Sequence, residues 1–153
     1  MIRLSKLADY GMVLMGQIAA RSDRPHSALE LSAETGLPAP TVSKTLTMLA
    51  RAELLVSQRG AKGGYSLARS ARDISVADIV RAVDGPVALT QCIEHGPGSC
   101  EIETLCPSRS GWHRINSAIE QALTEVSLDE MATPWNPLSL PPRNADGAAA
   151  ESH

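Results

Sequence analysis

Phenylalanine is absent from this 153-residue sequence, and aromatic residues of any kind make up only 3% of it. The core must therefore be built from aliphatic side chains and methionine, which suits helices packing on helices. Long apolar runs are also missing, since none approaches the roughly 18 residues needed to span a bilayer. Arg3, Lys6 and Asp9 interrupt the N-terminal apolar positions, so this segment does not resemble a signal peptide. We expect a cytoplasmic protein with no membrane partner.

Cysteine is scarce, and its distribution is uneven. The chain has three cysteines, Cys92, Cys100 and Cys106, all within fifteen residues of one another. An odd number of cysteines in a protein expected to be cytoplasmic argues against a disulfide framework. Such a cluster instead indicates a metal or redox site.

The net charge of −3 conceals an asymmetry along the chain. Residues 1–70 contain nine Lys or Arg against five Asp or Glu, a net charge of +4, whereas residues 71–153 contain five against twelve, a net charge of −7. A charge split of this kind suggests that the first part of the chain faces an anion and the second part does not.

The first fifty residues predict three helices, over 4–20, 27–35 and 41–52. Ser27 and Glu30 have the spacing of a capping box at the start of the second helix. Gly36 supplies the left-handed residue that commonly ends a helix. Two short helices joined by a turn that contains glycine are typical of a helix-turn-helix motif.

A predicted β-hairpin follows directly, with strands over 54–57 and 65–68. Its tip, residues 60–64, is rich in glycine and has basic residues around it, a combination that lets backbone lie close to a phosphate and neutralises it. The hairpin therefore has the properties of a wing. The predicted DNA contacts are the outward residues of the third helix and the basic and aromatic residues of the wing: Thr41, Ser43, Lys44, Thr47, Arg59, Lys62 and Tyr65.

The second half predicts a short helix over 75–83, a loop-like stretch that holds the cysteines, and a longer helix over 111–126. Apolar residues recur along that last helix at 4-3-4 spacing, a narrow seam that suits the pairing of two helices, although a helix lying on its own domain has the same pattern. The predicted fold is mainly α with a small β-hairpin, a winged helix-turn-helix followed by a long dimerisation helix. We divide the chain into a DNA-binding domain (1–85), a cysteine segment (86–110), a dimerisation helix (111–131) and a disordered tail (132–153).

Several motifs together resemble one family. They are RLSK at 3–6, DYG at 9–11, TVSK at 41–44 and above all RGAKGGY at 59–65. With three cysteines ahead of a long helix, the chain is similar to the Rrf2 family of bacterial winged-helix transcription regulators. The stretch 106–116 most resembles the subgroup that regulates SUF iron–sulfur cluster assembly genes. The resemblance implies a homodimer on pseudo-palindromic double-stranded promoter DNA, with an affinity that depends on a bound [2Fe–2S] or [4Fe–4S] cluster.

Three thiolates are soft anionic ligands that suit iron–sulfur clusters or zinc. The Cys-x7-Cys-x5-Cys spacing is looser than a zinc-finger clamp and can wrap a cluster of several atoms. Some family members place a histidine three residues after the last cysteine, where this chain has Arg109. Others use an acid in the first helix of the opposite subunit, a position that Asp9 occupies. Asp9 is therefore our candidate for the fourth ligand, in competition with nearby Glu94, His95, Glu101, Glu103 and His113.

Two other classes of protein are weaker alternatives. The sequence contains no glycine-rich nucleotide fingerprint, no Cys-x2-Cys pair and no convincing pairing of histidine with an acid, so we do not expect an enzyme. An iron–sulfur or zinc-binding redox or carrier protein without a DNA role would explain the cysteines. It would not explain the predicted wing or the positive charge of residues 1–70.

Overall fold

The computed structural model describes residues 3–96, 98–102 and 105–133. The predicted tail, 132–153, lies outside this range from residue 134 onward. The described chain is mainly helical with one two-stranded antiparallel hairpin, which confirms the predicted fold class. The elements are α1 (Lys6–Ala20), α2 (Ala28–Thr35), α3 (Ala39–Arg51), β1 (Leu55–Gln58), β2 (Gly64–Leu67), a 3₁₀ turn (Ala71–Asp73), α4 (Val76–Asp84), α5 (Gln91–Glu94), α6 (Arg109–Glu125) and α7 (Leu128–Ala132).

Serine side chains set the starts of four of these helices, α1, α2, α4 and α7. The hydroxyl of Ser5 accepts a hydrogen bond from the Ala8 N–H, and that of Ser27 accepts one from the Glu30 N–H. Ser75 begins α4 with a complete capping box. Each cap satisfies a backbone donor that the helix itself leaves unpaired. Gly36 ends α2 with a φ of 73°, as predicted from its position.

The core is aliphatic, as the lack of aromatic residues requires. Leu14 and Ile18 of α1 are fully buried, and they belong to one cluster with Leu46 of α3 and Ile79 of α4. Thr45 is buried among these side chains and donates its hydroxyl to the Thr41 carbonyl, 2.8 Å away. The polar group therefore enters the core without an unsatisfied donor.

The helix predicted over 111–126 corresponds to α6, and the end of the predicted dimerisation segment, 127–131, belongs to a separate short helix, α7. α6 ends at Glu125, and Ser127 begins α7 with its own capping box. Leu128, at the start of α7, is completely buried and donates its backbone N–H to the Ile74 carbonyl at 2.8 Å. Burial of a leucine stabilises the fold by roughly 2 kcal/mol, so the chain turns back onto the winged helix instead of extending α6.

α6 lies largely outside the core. Of its seventeen residues only Asn116 is buried. The helix lies against α4, where Arg81 forms an ion pair with Glu120 at 2.5 Å. None of the helices in the described part of the chain has the length and apolarity that a membrane crossing requires.

Candidate nucleic-acid interface and cysteine segment

The outward face of α3 presents most of the predicted base-reading residues. Ser43, Lys44 and Thr47 are exposed, and Arg51 continues the same face one turn later. Thr41, also predicted, is half-buried. The Thr47 hydroxyl donates to the Ser43 carbonyl at 2.8 Å, which leaves its oxygen available as an acceptor. This face has the short polar and basic side chains that read base edges and phosphates in a major groove.

The wing places its two basic residues at the tip of the hairpin. Arg59 and Lys62 are exposed, and the turn between them closes through a hydrogen bond from the Gly63 N–H to the Gly60 carbonyl at 3.0 Å. Within the described residues neither basic side chain takes part in an ion pair. Their charge is therefore available for an external anion.

The base of the wing is joined to the helix-turn-helix by a short backbone bridge. His26, just before α2, donates its N–H to the Tyr65 carbonyl at 2.9 Å and accepts from the Tyr65 N–H at 2.8 Å. Gly64 lies against the His26 backbone so closely that a Cβ there would collide with it. Tyr65 is half-buried against the core. The predicted DNA residue Tyr65 is thus placed at the base of the wing, away from Arg59 and Lys62 at the tip.

Sequence reasoning gave no role to His26, which is fully buried. Its Nε2 lies 2.7 Å from the Arg21 carbonyl oxygen, a contact that ties the α1–α2 connection to the wing bridge. No short sequence motif marks a histidine that is buried and hydrogen-bonded to the backbone. The proline before it and the capping serine after it were the available signals.

Ion pairs at α2 neutralise some of the basic residues among the first seventy, so the remaining positive charge is confined to a smaller part of the surface. Arg21 pairs with Glu34, and Arg24 pairs with Glu30. The hydrogen bond from Arg24 lowers the pKa of Glu30 to about 2, so this pair stays charged at neutral pH. With these arginines neutralised, the basic side chains of α3 and the wing, which form no ion pair within the part of the chain that the structure describes, are available to an anion.

Arg59→Ala tests the phosphate-binding role of the wing. Loss of one phosphate contact is expected to weaken operator binding and to lower the slope of log affinity against log salt by about 1. Fluorescence anisotropy at several salt concentrations measures both quantities. Arg59→Lys, which keeps the charge, is the matched control and should retain the slope. An unchanged slope in Arg59→Ala would remove this residue from the interface.

The cysteine segment, residues 86–110, connects α4 to α6. Cys92 lies in α5, 3.2 Å from the Thr90 hydroxyl, and Cys106 lies just before α6. All three cysteines are free thiols and half-buried. Their number, softness and partial access to solvent fit an iron–sulfur cluster.

The single chain does not preassemble a ligand set. Across 3–96, 98–102 and 105–133, no three His, Cys, Asp or Glu side chains form a group able to hold a metal ion. Asp9 is exposed on α1 and joins no such group. Among the competing ligand candidates, Glu94, His95, Glu101 and His113 are exposed, while Glu103 lies outside the described residues.

An exposed basic helix-turn-helix face beside a basic wing defines a winged-helix DNA-binding protein. The family model of Rrf2, described as an iron-dependent transcriptional regulator, matches residues 4–134. The chain belongs to the Rrf2 family.

Individual relatives agree with this assignment. The HTH-type transcriptional regulator IscR of Photobacterium profundum is 31% identical over 131 residues, which cover 85% of this chain and 75% of the relative. The structure of CymR, the global cysteine regulator of B. subtilis, has a TM-score of 0.68 and 26% identity, covering 86% of this chain and 97% of CymR. The structure of T. potens IscR has a TM-score of 0.64 and 29% identity, covering 85% of each chain.

The protein is therefore a DNA-binding transcriptional regulator and not an enzyme, as the sequence predicted. The alternative of a carrier without a DNA role is not supported, because the family and the basic face of the fold both indicate DNA binding.

Proposed function

We propose that the protein is a homodimeric regulator whose affinity for promoter DNA depends on a bound iron–sulfur cluster, and that its targets are SUF cluster-assembly genes. The observation that carries the proposal is the position of the cysteines. All three free thiols lie in one segment that connects the winged helix to the outlying helix α6. The choice of SUF targets rests on the resemblance of residues 106–116 to that subgroup.

The apolar stripe on α6 supports the homodimer. Ile115 is 47% exposed, and by helical spacing Ile119 and Ala122 follow it on the same side of α6. Val126, the extended residue that ends the helix, is 36% exposed. Trp112 is exposed a turn before Ile115, at 41%. An apolar stripe of this size is costly in water, and a second α6 with the same stripe would cover it on a two-fold axis.

The proposed cluster ligands are Cys92, Cys100 and Cys106, with Asp9 of the partner subunit as the fourth. A bound cluster supplies a redox-active centre. The cysteine segment would have to close to bring the thiolates together, since the single chain does not hold them in one group. A carboxylate binds iron less tightly than a thiolate does, so Asp9 would give the site an exchangeable ligand.

Closing this segment would act on DNA binding through α6. One end of the segment continues from α4 of the winged helix and the other leads into the dimer helix. A change in the segment would therefore alter the spacing of two winged helices that must reach half-sites about 34 Å apart. The change in DNA affinity that the cluster could cause is limited by the difference between its affinities for the two dimer geometries.

Anaerobic isolation of the wild type and of Asp9→Ala tests the cluster and its fourth ligand. The wild type is expected to show visible thiolate-to-iron absorption with stoichiometric sulfide, and Asp9→Ala an altered or less stable spectrum. Mobility shifts with SUF promoter DNA should then give different affinities for apo and holo protein. Equal affinities would overturn the sensor role and leave DNA binding intact. Colourless protein that holds only zinc would overturn the cluster.

A further inference from the structure

Asn116 is the one residue of α6 that the fold buries, with 6% of its surface exposed. It lies on the side of α6 that faces the winged helix, one turn before the Glu120 that pairs with Arg81 of α4. A buried amide is costly unless its donors and acceptor are satisfied. The partners of this side chain therefore indicate why an asparagine occupies the position.

Both polar atoms of the Asn116 amide bond to the backbone of the chain leading into the cysteine segment. Its Oδ1 accepts from the Leu89 N–H at 3.0 Å, and its Nδ2 donates to the Val87 carbonyl at 2.9 Å. The amide thus bonds to the backbone groups on either side of Ala88, in the way that a neighbouring β-strand would. A shorter, longer or apolar side chain cannot make both bonds at once.

These two bonds close a loop that contains every cysteine of the chain. Leu89 precedes Thr90, whose hydroxyl contacts Cys92 and whose carbonyl accepts the N–H groups of Ile93 and Glu94. At the other end, Cys106 leads directly into α6, whose first residue is Arg109. Seven residues of helix, about 10 Å, separate Arg109 from Asn116. The amide therefore holds the Cys92 end of the loop at a set distance from the Cys106 end.

We infer that Asn116 is a positioning residue that clamps the entry of the cysteine segment onto α6 and so fixes the Cys92 end of the loop relative to its Cys106 end, the arrangement from which the thiols would close on a metal group. This inference rests on the proposed function for its ligand, and the clamp itself is a property of the protein without metal. Because the clamp bonds α6 to residues just after α4, it is also the direct route by which the segment would move the dimer helix.

Replacing Asn116 tests the clamp in two ways. Asn116→Leu removes both hydrogen bonds and keeps the branched shape of the side chain, and Asn116→Ala removes them by truncation. Ser117→Ala, one residue on at an exposed position, is the matched control. The first measurement is the alkylation rate of each cysteine in metal-free protein, followed by mass spectrometry. Release of the segment is expected to speed alkylation of Cys92 severalfold in Asn116→Leu and in Asn116→Ala, and not in Ser117→Ala.

The second measurement is titration with Co²⁺ alone, read by its thiolate charge-transfer absorption. Loss of a residue that orients ligands lowers metal affinity about 10- to 100-fold, and we expect a decrease of that size for Asn116→Leu. Circular dichroism shows whether each variant is folded, and Asn116→Ala serves if Asn116→Leu is not. Alkylation rates and Co²⁺ affinity equal to those of the wild type would overturn the clamp. A wild type without Co²⁺–thiolate absorption would instead count against the proposed metal site, and alkylation would still decide the clamp.

Discussion

Ile115→Asp is expected to convert the proposed dimer into a monomer and to lower affinity for a full promoter site by about a hundred- to ten-thousand-fold. The side chain is 47% exposed in the single chain, so the fold of the monomer does not depend on it. In the proposed dimer the same position lies in the apolar seam, where an unpaired carboxylate costs several kcal/mol. Without a dimer, two winged helices no longer bind two half-sites together, and the gain from linked binding is lost.

Light scattering with size-exclusion chromatography measures the oligomeric state, and mobility shifts compare a full site with a single half-site. Binding to the half-site should be unchanged, because α3 and the wing are untouched. Ser117→Asp is the matched control, since it adds the same charge to α6 about 200° around the helix. An Ile115→Asp protein that remains dimeric would show that α6 does not form the interface through this stripe.

Gly64→Ala is expected to detach the wing from the helix-turn-helix and to lower the stability of the fold. The φ of 144° alone costs a non-glycine residue about 1–3 kcal/mol. The added methyl group would also collide with the carbonyl carbon and oxygen of His26, which are backbone atoms and cannot rotate away. The bridge between His26 and Tyr65 must open to make room. Arg59 and Lys62 would then lose their positions, so the salt slope of operator binding should fall by as much as about 2.

Gly60→Ala is the control, because it introduces backbone strain at a positive φ without a collision. Gly60 also has a positive φ, 113°, but nothing lies within 4 Å of an added Cβ there. We expect a smaller loss of stability and a retained salt slope in this variant. Urea denaturation measures the first quantity and anisotropy titrations the second. Equal losses in the two variants would show that contact with the His26 backbone does not hold the wing.

Much of the DNA-binding part could be predicted because its signals are local. Ser27, Gly36 and the glycines of the wing tip each act on a few neighbouring residues, through a cap, a left-handed turn or a tight hairpin. The outward residues of α3 follow from helical periodicity alone. The concentration of three cysteines in one segment is likewise visible without a structure.

What the sequence by itself determined is therefore the order of the elements, the basic face of the first seventy residues and the family. The tertiary structure alone decided how those elements are tied together: the His26 bridge to Tyr65, the return of Leu128 to the core, and the Asn116 bonds to residues 87 and 89. The physical reason is that each of these ties joins backbone groups or buried side chains far apart in the chain. Such pairings depend on where the folded core brings two segments together. Neither the spacing of apolar residues nor the residues of a turn indicates which distant segments will meet.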